Sequence, residues 1–587
     1  MKMKKLLALF LAGSMLASLT GCGGGSTNNT ASTDTSANSS KSDNNSTAGD
    51  TTALQGVTTI SLYPADANLS SGVVSGHKGD YLAENGIELE VWAYSDEKTN
   101  AMLASGDLPD VMYVSKDNLD TMIEAGMLLN LEGYLDKLPS LMENEKLQVA
   151  LNYVRKFRSA GTGELYCLPL TVGDNSTKVS WTDSTERNAL KLNWEIYEEI
   201  GAPEINDIWD VIDVMDQMME AHPTDDQGNP FYGTVLNNGS DSTYWACMTM
   251  FYRWMGYEEY QLPYLLESDM VNGTYSSILA DDSMYHEGLK WYNEVYRRGL
   301  MDPDSINNDR ATQKAKVDAG YAMVPSGYLP GWAPTCYEYL LPDTKVYYNY
   351  ESTYGDANKV IAINANTENV DACLKLLDMW CNQDDVFRLL NGPEGDFWYK
   401  DGDNAYLTED NLAYLEEHKG SETDRTLPST GEPVALWNTS FCINTGEPTS
   451  YGDGKGGKRV QRTGSWEEVM AITSNNETFE KWKATTGYDT WKDWLAAEDA
   501  YVAVSDLARI QNFCSLPDDS MQLTIDALKT TIVEASWKMV YAESEEEFNS
   551  IWSKMVSDCE GLGAQSVIDW RLADIENARQ IRDSLAE

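Results

Sequence analysis

Apolar positions along this chain follow two rhythms. Val57-Thr58-Thr59-Ile60-Ser61-Leu62-Tyr63 is rich in β-branched residues, and Ile87 to Tyr94 alternates apolar with polar positions. Asp110 to Val114 and Lys359 to Ile363 are short apolar runs. Such segments predict strands. Between them the spacing lengthens to three and four. Asp96 to Ser105 predicts a helix. Leu119, Met122 and Ile123, after a Ser115 cap, predict another that ends at Gly126. Tyr285, Leu289, Tyr292 and Tyr296 share one helical face, closed by Gly299 and Pro303. Val370, Leu374, Leu377 and Cys381 repeat that pattern directly after a strand. Ser544 to Glu547 has capping-box spacing and opens a helix with Phe548, Ile551, Trp552 and Met555 inward. Strands alternating with helices predict a parallel α/β sheet. No repeat of 20–50 residues is evident, which argues against a solenoid.

The N-terminus follows neither rhythm. Lys2, Lys4 and Lys5 precede an apolar run from Leu6 to Leu16. A bilayer span needs about 20 apolar residues, so this run predicts a secretory leader. The next motif, Leu19-Thr20-Gly21-Cys22, resembles the lipobox of bacterial lipoproteins. That resemblance implies lipidation of Cys22 and attachment to the outer face of the cell membrane. Gly23 to Ala53 is Gly, Ser, Thr, Asn and Asp with almost no large apolar residue. It cannot bury enough surface to offset its ordering entropy, so residues 23–53 are expected to be a disordered tether.

Length and charge narrow the classes. Roughly 535 residues after the tether exceed one core and predict two or three domains. The formal net charge is −50. Nucleic-acid binding needs basic patches and is excluded. Of nine cysteines, Cys22 is assigned to lipid. The remaining eight are widely spaced, and mostly buried free thiols are expected, with room for one or two bridges. Four histidines show no zinc-binding spacing. Neither cofactor nor metal is expected.

A family resemblance enters at Gly106-Asp107-Leu108-Pro109-Asp110-Val111-Met112-Tyr113-Val114, followed by Glu124-Ala125-Gly126-Met127-Leu128-Leu129-Asn130-Leu131. This is similar to the first lobe of the extracellular solute-binding proteins of sugar-importing ABC transporters, the maltodextrin-binding-like group. Gly163 to Pro169 resembles the family's first crossing between lobes. Arg298-Gly299-Leu300-Met301-Asp302-Pro303-Asp304 and Gly320-Tyr321-Ala322-Met323 resemble second-lobe elements. Val360 to Ile363 resembles the return to the first lobe, and Ser536 to Ala542 with Gly561 to Gly563 the C-terminal helices. The matches follow the family order over most of residues 54–400 and 515–570. Residues 400–515 match poorly.

The resemblance implies a two-lobed, periplasmic-binding-protein-like (type II) α/β fold with a central interlobe cleft and hinge strands. Residues 54–168 and 359–440 are expected in the N-terminal lobe, and residues 169–358 and 441–587 in the C-terminal lobe. It also implies a non-enzymatic monomer that captures a carbohydrate, an oligosaccharide above all, for permease subunits. Some larger relatives carry a calcium loop. The comparable stretch here, Thr224-Asp225-Asp226-Gln227-Gly228-Asn229, is too short for six to eight oxygen ligands and reads as a turn.

Sugar recognition needs aromatic faces and hydrogen-bonding groups together. The chain has 18 Trp and 33 Tyr against 10 Phe, and aromatics with a polar edge suit wet surfaces. Trp332 and Tyr328 lie in a Gly/Pro loop after the Gly320–Val324 strand, the place that faces ligand in the family. Trp181, Trp245 and Trp437 also lie near polar or turn-rich stretches. Asp174, Asn238, Asp241 and Arg253 are the hydrogen-bonding candidates. The same residues leave other ligands open: a peptide, or a polyamine suited to the acidity. An exported glycoside hydrolase is a weaker alternative, since 93 acidic residues guarantee accidental carboxylate pairs. A surface adhesin fits a two-lobed α/β body less well than repeated β-modules.

Overall fold

Strand alternation becomes burial in the computed structural model. It describes residues 56–64, 71–172, 188–238, 245–258, 264–325, 335–349, 352–401, 404–418, 426–429, 431, 476–504 and 510–586. The leader, Cys22 and the tether lie outside these residues.

The first lobe is built on a six-stranded sheet. Its strands are β1 (Thr58–Tyr63), β2 (Gly72–Val73), β3 (Ile87–Val91), β4 (Val111–Ser115), β5 (Leu168–Pro169) and a late strand, Lys359–Ile363. The spatial order is β2-β3-β1-β4, then Lys359–Ile363, then β5. β1 is parallel to both β3 and β4, with Ile60 opposite Leu89 and Leu62 opposite Val111. The late strand runs antiparallel to β4 and β5. In β3, Ile87, Leu89 and Val91 are buried while Glu88 and Glu90 face solvent. In Lys359–Ile363 four consecutive residues are buried, the mark of a strand covered on both faces. The chain goes from β1 to β3 on one side and later to β4 on the other, so β1 and β4 flank a topological switch point.

Helices cover this sheet where the sequence places them. Ser95 caps Asp96–Ser105 by accepting from the Lys98 amide, and Gly106 ends it at φ 75°. Ser115 opens Lys116–Glu124 without a side-chain cap. It accepts instead from Asn118 Nδ2 at 3.0 Å. A separate small core lies alongside. Phe387, Phe397, Trp398, Ala405, Leu407, Leu415 and Leu427 pack together around a hairpin, Trp398–Asp401 with Asn404–Leu407.

The second lobe has a less regular sheet. β6 (Leu190–Asn193) pairs antiparallel with Cys336–Tyr339. Parallel bridges join Tyr232 to Ala322 and Thr234 to Met301. The helix Met284–Arg297 buries Tyr285, Leu289 and Tyr292 of the predicted face, with Tyr296 half-buried at its end. Gly288 lies so close to the helix Met248–Trp254 that a Cβ there would sit 2.4 Å from Met248 Sδ. On the same helix, buried Asn293 donates to the carbonyls of Met539, Val540 and Ala542 at the end of Asp519–Val540. This bond set satisfies carbonyls that a helix end leaves without intrahelical partners. The capping box at Ser544 is modified: Glu547 accepts from the Glu543 amide at 3.0 Å.

The chain passes from the first sheet to the second after β5 and returns between Val346–Asn349 and Lys359–Ile363. Segment 510–515 lies against this junction. Tyr153 OH donates to Asn512 O at 2.6 Å, and Asn512 Nδ2 to Gly355 O at 3.0 Å. Gly355 has φ 86°, and a Cβ there would meet Leu170 O at 2.8 Å. Only glycine fits both that backbone and that approach. Tyr153, Phe157, Tyr354 and Phe513 close the junction with ring contacts of 5.0–5.4 Å.

Candidate ligand site

In open α/β sheets a ligand lies beyond the carboxyl ends of the strands, at the switch point. For the first lobe this directs attention to Tyr63, to Trp92–Tyr94 and to Ser115–Asn118. β1 ends in Tyr63, whose hydroxyl bonds to Thr99 Oγ1 at 2.8 Å and donates to Ser95 O at 2.9 Å. These bonds tie the strand end to the start of the next helix. Trp92 and Tyr94 follow β3 directly, and both are half-buried. The Tyr63 and Tyr94 rings lie 5.6 Å apart. Lys98 Nζ sits 4.8 Å from the Trp92 ring centre and 5.7 Å from that of Tyr63. Tyr94 OH donates to Asp96 Oδ1 at 2.6 Å, and that bond, with burial, pushes its pKa up to about 12. The result is an aromatic ledge with a cation on it, held on a rigid strand end.

β4 ends at Ser115, and Lys116 opens the helix that follows. Lys116 is half-buried, and its ammonium donates to Cys514 O at 2.5 Å. Burial, together with the cations of Arg158 and Arg571, brings its pKa down to about 8. Arg158 is buried and donates to Tyr153 OH and to Ala357 O.

On the second lobe, the stretch 232–238 is bridged at Tyr232 and Thr234 and ends at Asn238. Buried Asn237 and Gln313 bond to each other, and Gln313 Nε2 donates to Val235 O at 2.8 Å. Asn308 Nδ2 donates to Leu236 O and to Asp302 Oδ2, and Lys316 pairs with Asp302 at 2.6 Å. Asn238 completes the array: its amide donates to Asn308 O, and its Oδ1 accepts from Trp537 Nε1 at 3.0 Å.

The residues singled out from sequence fare unequally. Trp332, Tyr328, Trp181, Trp437, Asp174 and Asp241 lie outside the described residues. Asn238 is exposed, with its side-chain oxygen bonded to Trp537. Trp245 is 2 % exposed and meets Tyr292 and Trp537 edge-on at 5.2 and 5.3 Å. Arg253 lies at the other end of the helix that Trp245 precedes, 3.8 Å from Glu258. Trp92, Tyr94, Lys98 and Trp537 escaped the sequence reading. Alternation carries the predicted strand on to Tyr94, but the strand ends at Val91 and frees Trp92 and Tyr94 at its carboxyl end, while Lys98 lies in the first turn of the helix Asp96–Ser105.

The Thr224–Asn229 stretch is a turn. Asp225 accepts from the amides of Gln227 and Asn229 and from Asn229 Nδ2, which hold its carboxyl below the usual range. Among the described residues no three His, Cys, Asp or Glu side chains are grouped to hold a metal. Seven cysteines, Cys167, Cys247, Cys336, Cys373, Cys381, Cys514 and Cys559, are buried free thiols. A surface pocket of about 570 Å³, lined by Asn85, Lys137, Asp371 and Asp378 among others, opens near the amino end of β3. It is therefore at the opposite end of the sheet from the ledge.

No family model matches the chain, and no curated protein matches it. Solved structures do. An extracellular solute-binding protein from Bifidobacterium longum subsp. infantis matches with TM-score 0.54 at 16% identity, over 90% of this chain and 100% of that one. The ABC-transporter substrate-binding protein FusA of S. pneumoniae, solved with kestose, matches with TM-score 0.54 at 15% identity, over 90% and 100%. An HMO-binding, ABC-transporter-associated solute-binding protein from B. longum infantis gives 0.51 at 15%, over 89% and 99%. The chain has the two-lobed fold of these proteins.

Proposed function

We propose that this protein is the extracytoplasmic receptor of an ABC importer and captures an oligosaccharide between its lobes. One observation carries the reading. The strand-end ledge of Trp92, Tyr94 and Lys98 occupies the position where this fold class takes its ligand, and its chemistry suits a pyranose ring. Aromatic faces accept the apolar face of a sugar, and adjacent polar groups accept its hydroxyls. Proteins of the same fold are described as binding kestose and HMO.

In this reading the N-terminal lobe comprises residues 54–168 and 359–440, and the C-terminal lobe residues 169–358 and 441–587. Ligand stabilises the closed arrangement by its greater affinity for that state. Permease subunits then recognise the closed shape. Trp332, Tyr328, Trp181, Trp437, Asp174 and Asp241 are assigned to the ligand site together with Asn238. Cys22 carries the lipid, and residues 23–53 let a monomeric body work near the membrane while turning freely. Among the described residues no helix is long and apolar enough to cross a membrane. The role is binding, without a chemical step.

A thermal-shift screen of the protein against mono- and oligosaccharides, peptides and polyamines tests the reading. Stabilisation by at least one oligosaccharide, without release of reducing ends, is the expected outcome. Stabilisation by peptides or polyamines alone would remove the sugar assignment.

A further inference from the structure

The chain carries a net charge of −50, yet the switch point concentrates cations. Lys116 begins the helix that follows β4 and sits half-buried at the strand end. Its ammonium meets a carbonyl, that of Cys514, and among the described residues no carboxylate lies within ion-pair distance of it. Arg158, 4 % exposed, is in the same position: it donates to Tyr153 OH and Ala357 O and has no carboxylate partner among the described residues. Arg571 approaches from the C-terminal helix Ala564–Ala586 and is paired with Asp574 at 2.7 Å. That carboxylate is already engaged, since it also accepts from the Ser515 amide. The Cys514 thiol is held neutral, its pKa pushed up by burial to about 11. Asp117, next along the chain, is exposed.

Taking a cation out of water without a counter-charge is costly, even where it is hydrogen-bonded, and strongly perturbed cations cluster at functional sites. Two such cations beside one carboxylate already in use leave the junction with surplus positive charge. An incoming anion would be favoured there twice. It would gain a charge-assisted hydrogen bond, and it would relieve repulsion among Lys116, Arg158 and Arg571. Only Lys116 is exposed enough to touch a guest; Arg158 and Arg571 act through the field. We propose that the guest is an acidic oligosaccharide, one whose sugar bears a carboxylate, sulfate or phosphate, and that Lys116 receives the anion. This rests on the oligosaccharide reading above and narrows it.

Calorimetry on the full chain tests it with four probes: a uronate-containing disaccharide, its carboxyl-reduced neutral counterpart, and sulfated and phosphorylated analogues. At least one acidic probe should bind about ten- to a hundred-fold tighter than the neutral one, the range for a charge-assisted bond. Binding should also take up about half a proton per ligand near pH 8, because an anion restores the Lys116 charge. Enthalpies measured in buffers of different ionisation heat read that uptake. The Lys116→Met variant should narrow the acidic-over-neutral preference about ten-fold or more, while Lys116→Arg keeps it. Melting curves of both variants report on folding. Equal binding of acidic and neutral probes, or tighter binding of the neutral one, overturns this inference and leaves the oligosaccharide reading standing. Acidic preference without proton uptake, or unchanged in Lys116→Met, overturns the role of Lys116. Silence from all four probes overturns this inference, and overturns the oligosaccharide reading too only if no oligosaccharide in the thermal-shift screen stabilises the protein.

Discussion

The two lobes build these positions differently. On the first, Trp92, Tyr94 and Lys98 stand half-open on a short stretch after β3, tied down through Tyr63 and Ser95. On the second, Asn238 rests on a buried polar lattice of Asp302, Lys316, Asn308 and Gln313. A half-buried aromatic ledge contributes contact area and costs less stability to alter than a buried network does. A buried lattice contributes placement, and each member is held by others, so its loss spreads. The contrast suits a clamp in which one side offers a face and the other a fixed set of polar positions.

Substitutions that separate the two behaviours follow from this, the largest effect first. Asp302→Ala removes a fully buried carboxylate and leaves the half-buried Lys316 ammonium with only the Asn308 side-chain oxygen. Breaking such a pair costs about 3–5 kcal/mol. Denaturant unfolding should show that loss, and a cost below about 1 kcal/mol would mean the lattice is not structural.

The next effect is on the first lobe and depends on pH. His77 is buried against the carbonyl of Leu389, and burial lowers its pKa from 6.5 to about 4. The unfolded chain therefore binds the extra proton across that interval. His77 contributes its full stabilisation above pH 6.5, and this is lost as pH falls through 4, to a total of about 3 kcal/mol. Melting temperature against pH should fall in that window, and His77→Gln should flatten the fall. An identical profile in the variant would place the acid sensitivity elsewhere.

Trp92→Ala should weaken oligosaccharide binding by about 1–3 kcal/mol, by analogy with other aromatic stacking platforms, with little change in melting temperature. Loss of stability comparable to Asp302→Ala would make Trp92 part of the core and erase the contrast. Trp537→Phe is the mildest. It deletes the bond to Asn238 Oδ1, worth about 1 kcal/mol. Its effect should fall on affinity more than on unfolding, read by calorimetry beside a melt.

The regular elements were legible because their periodicity is strong. β1, β3, β4, Lys359–Ile363 and the helices after them lie where alternation and three-to-four spacing put them. The hairpin of Trp398–Asp401 with Asn404–Leu407 was not foreseen, since its strands are four residues each and their apolar partners come from separate helices. The site was harder. Trp245 stands beside a turn-rich stretch, which suggests a loop side chain, but the fold turns its ring inward against Tyr292 and Trp537. Trp92 falls inside the alternating run Ile87 to Tyr94, and only the fold ends the strand before it, at Val91. Its place becomes meaningful only when β1, β3 and β4 are known to be neighbours, which is a long-range fact. The same holds for Lys116, whose carbonyl partner is 398 residues away along the chain.

The central claim is that two lobes close around a sugar, and small-angle X-ray scattering with and without oligosaccharide tests it most directly. Saturating ligand should reduce the radius of gyration while far-ultraviolet circular dichroism stays the same, as lobes rotate without refolding. An unchanged radius at a concentration where calorimetry shows full occupancy would contradict it.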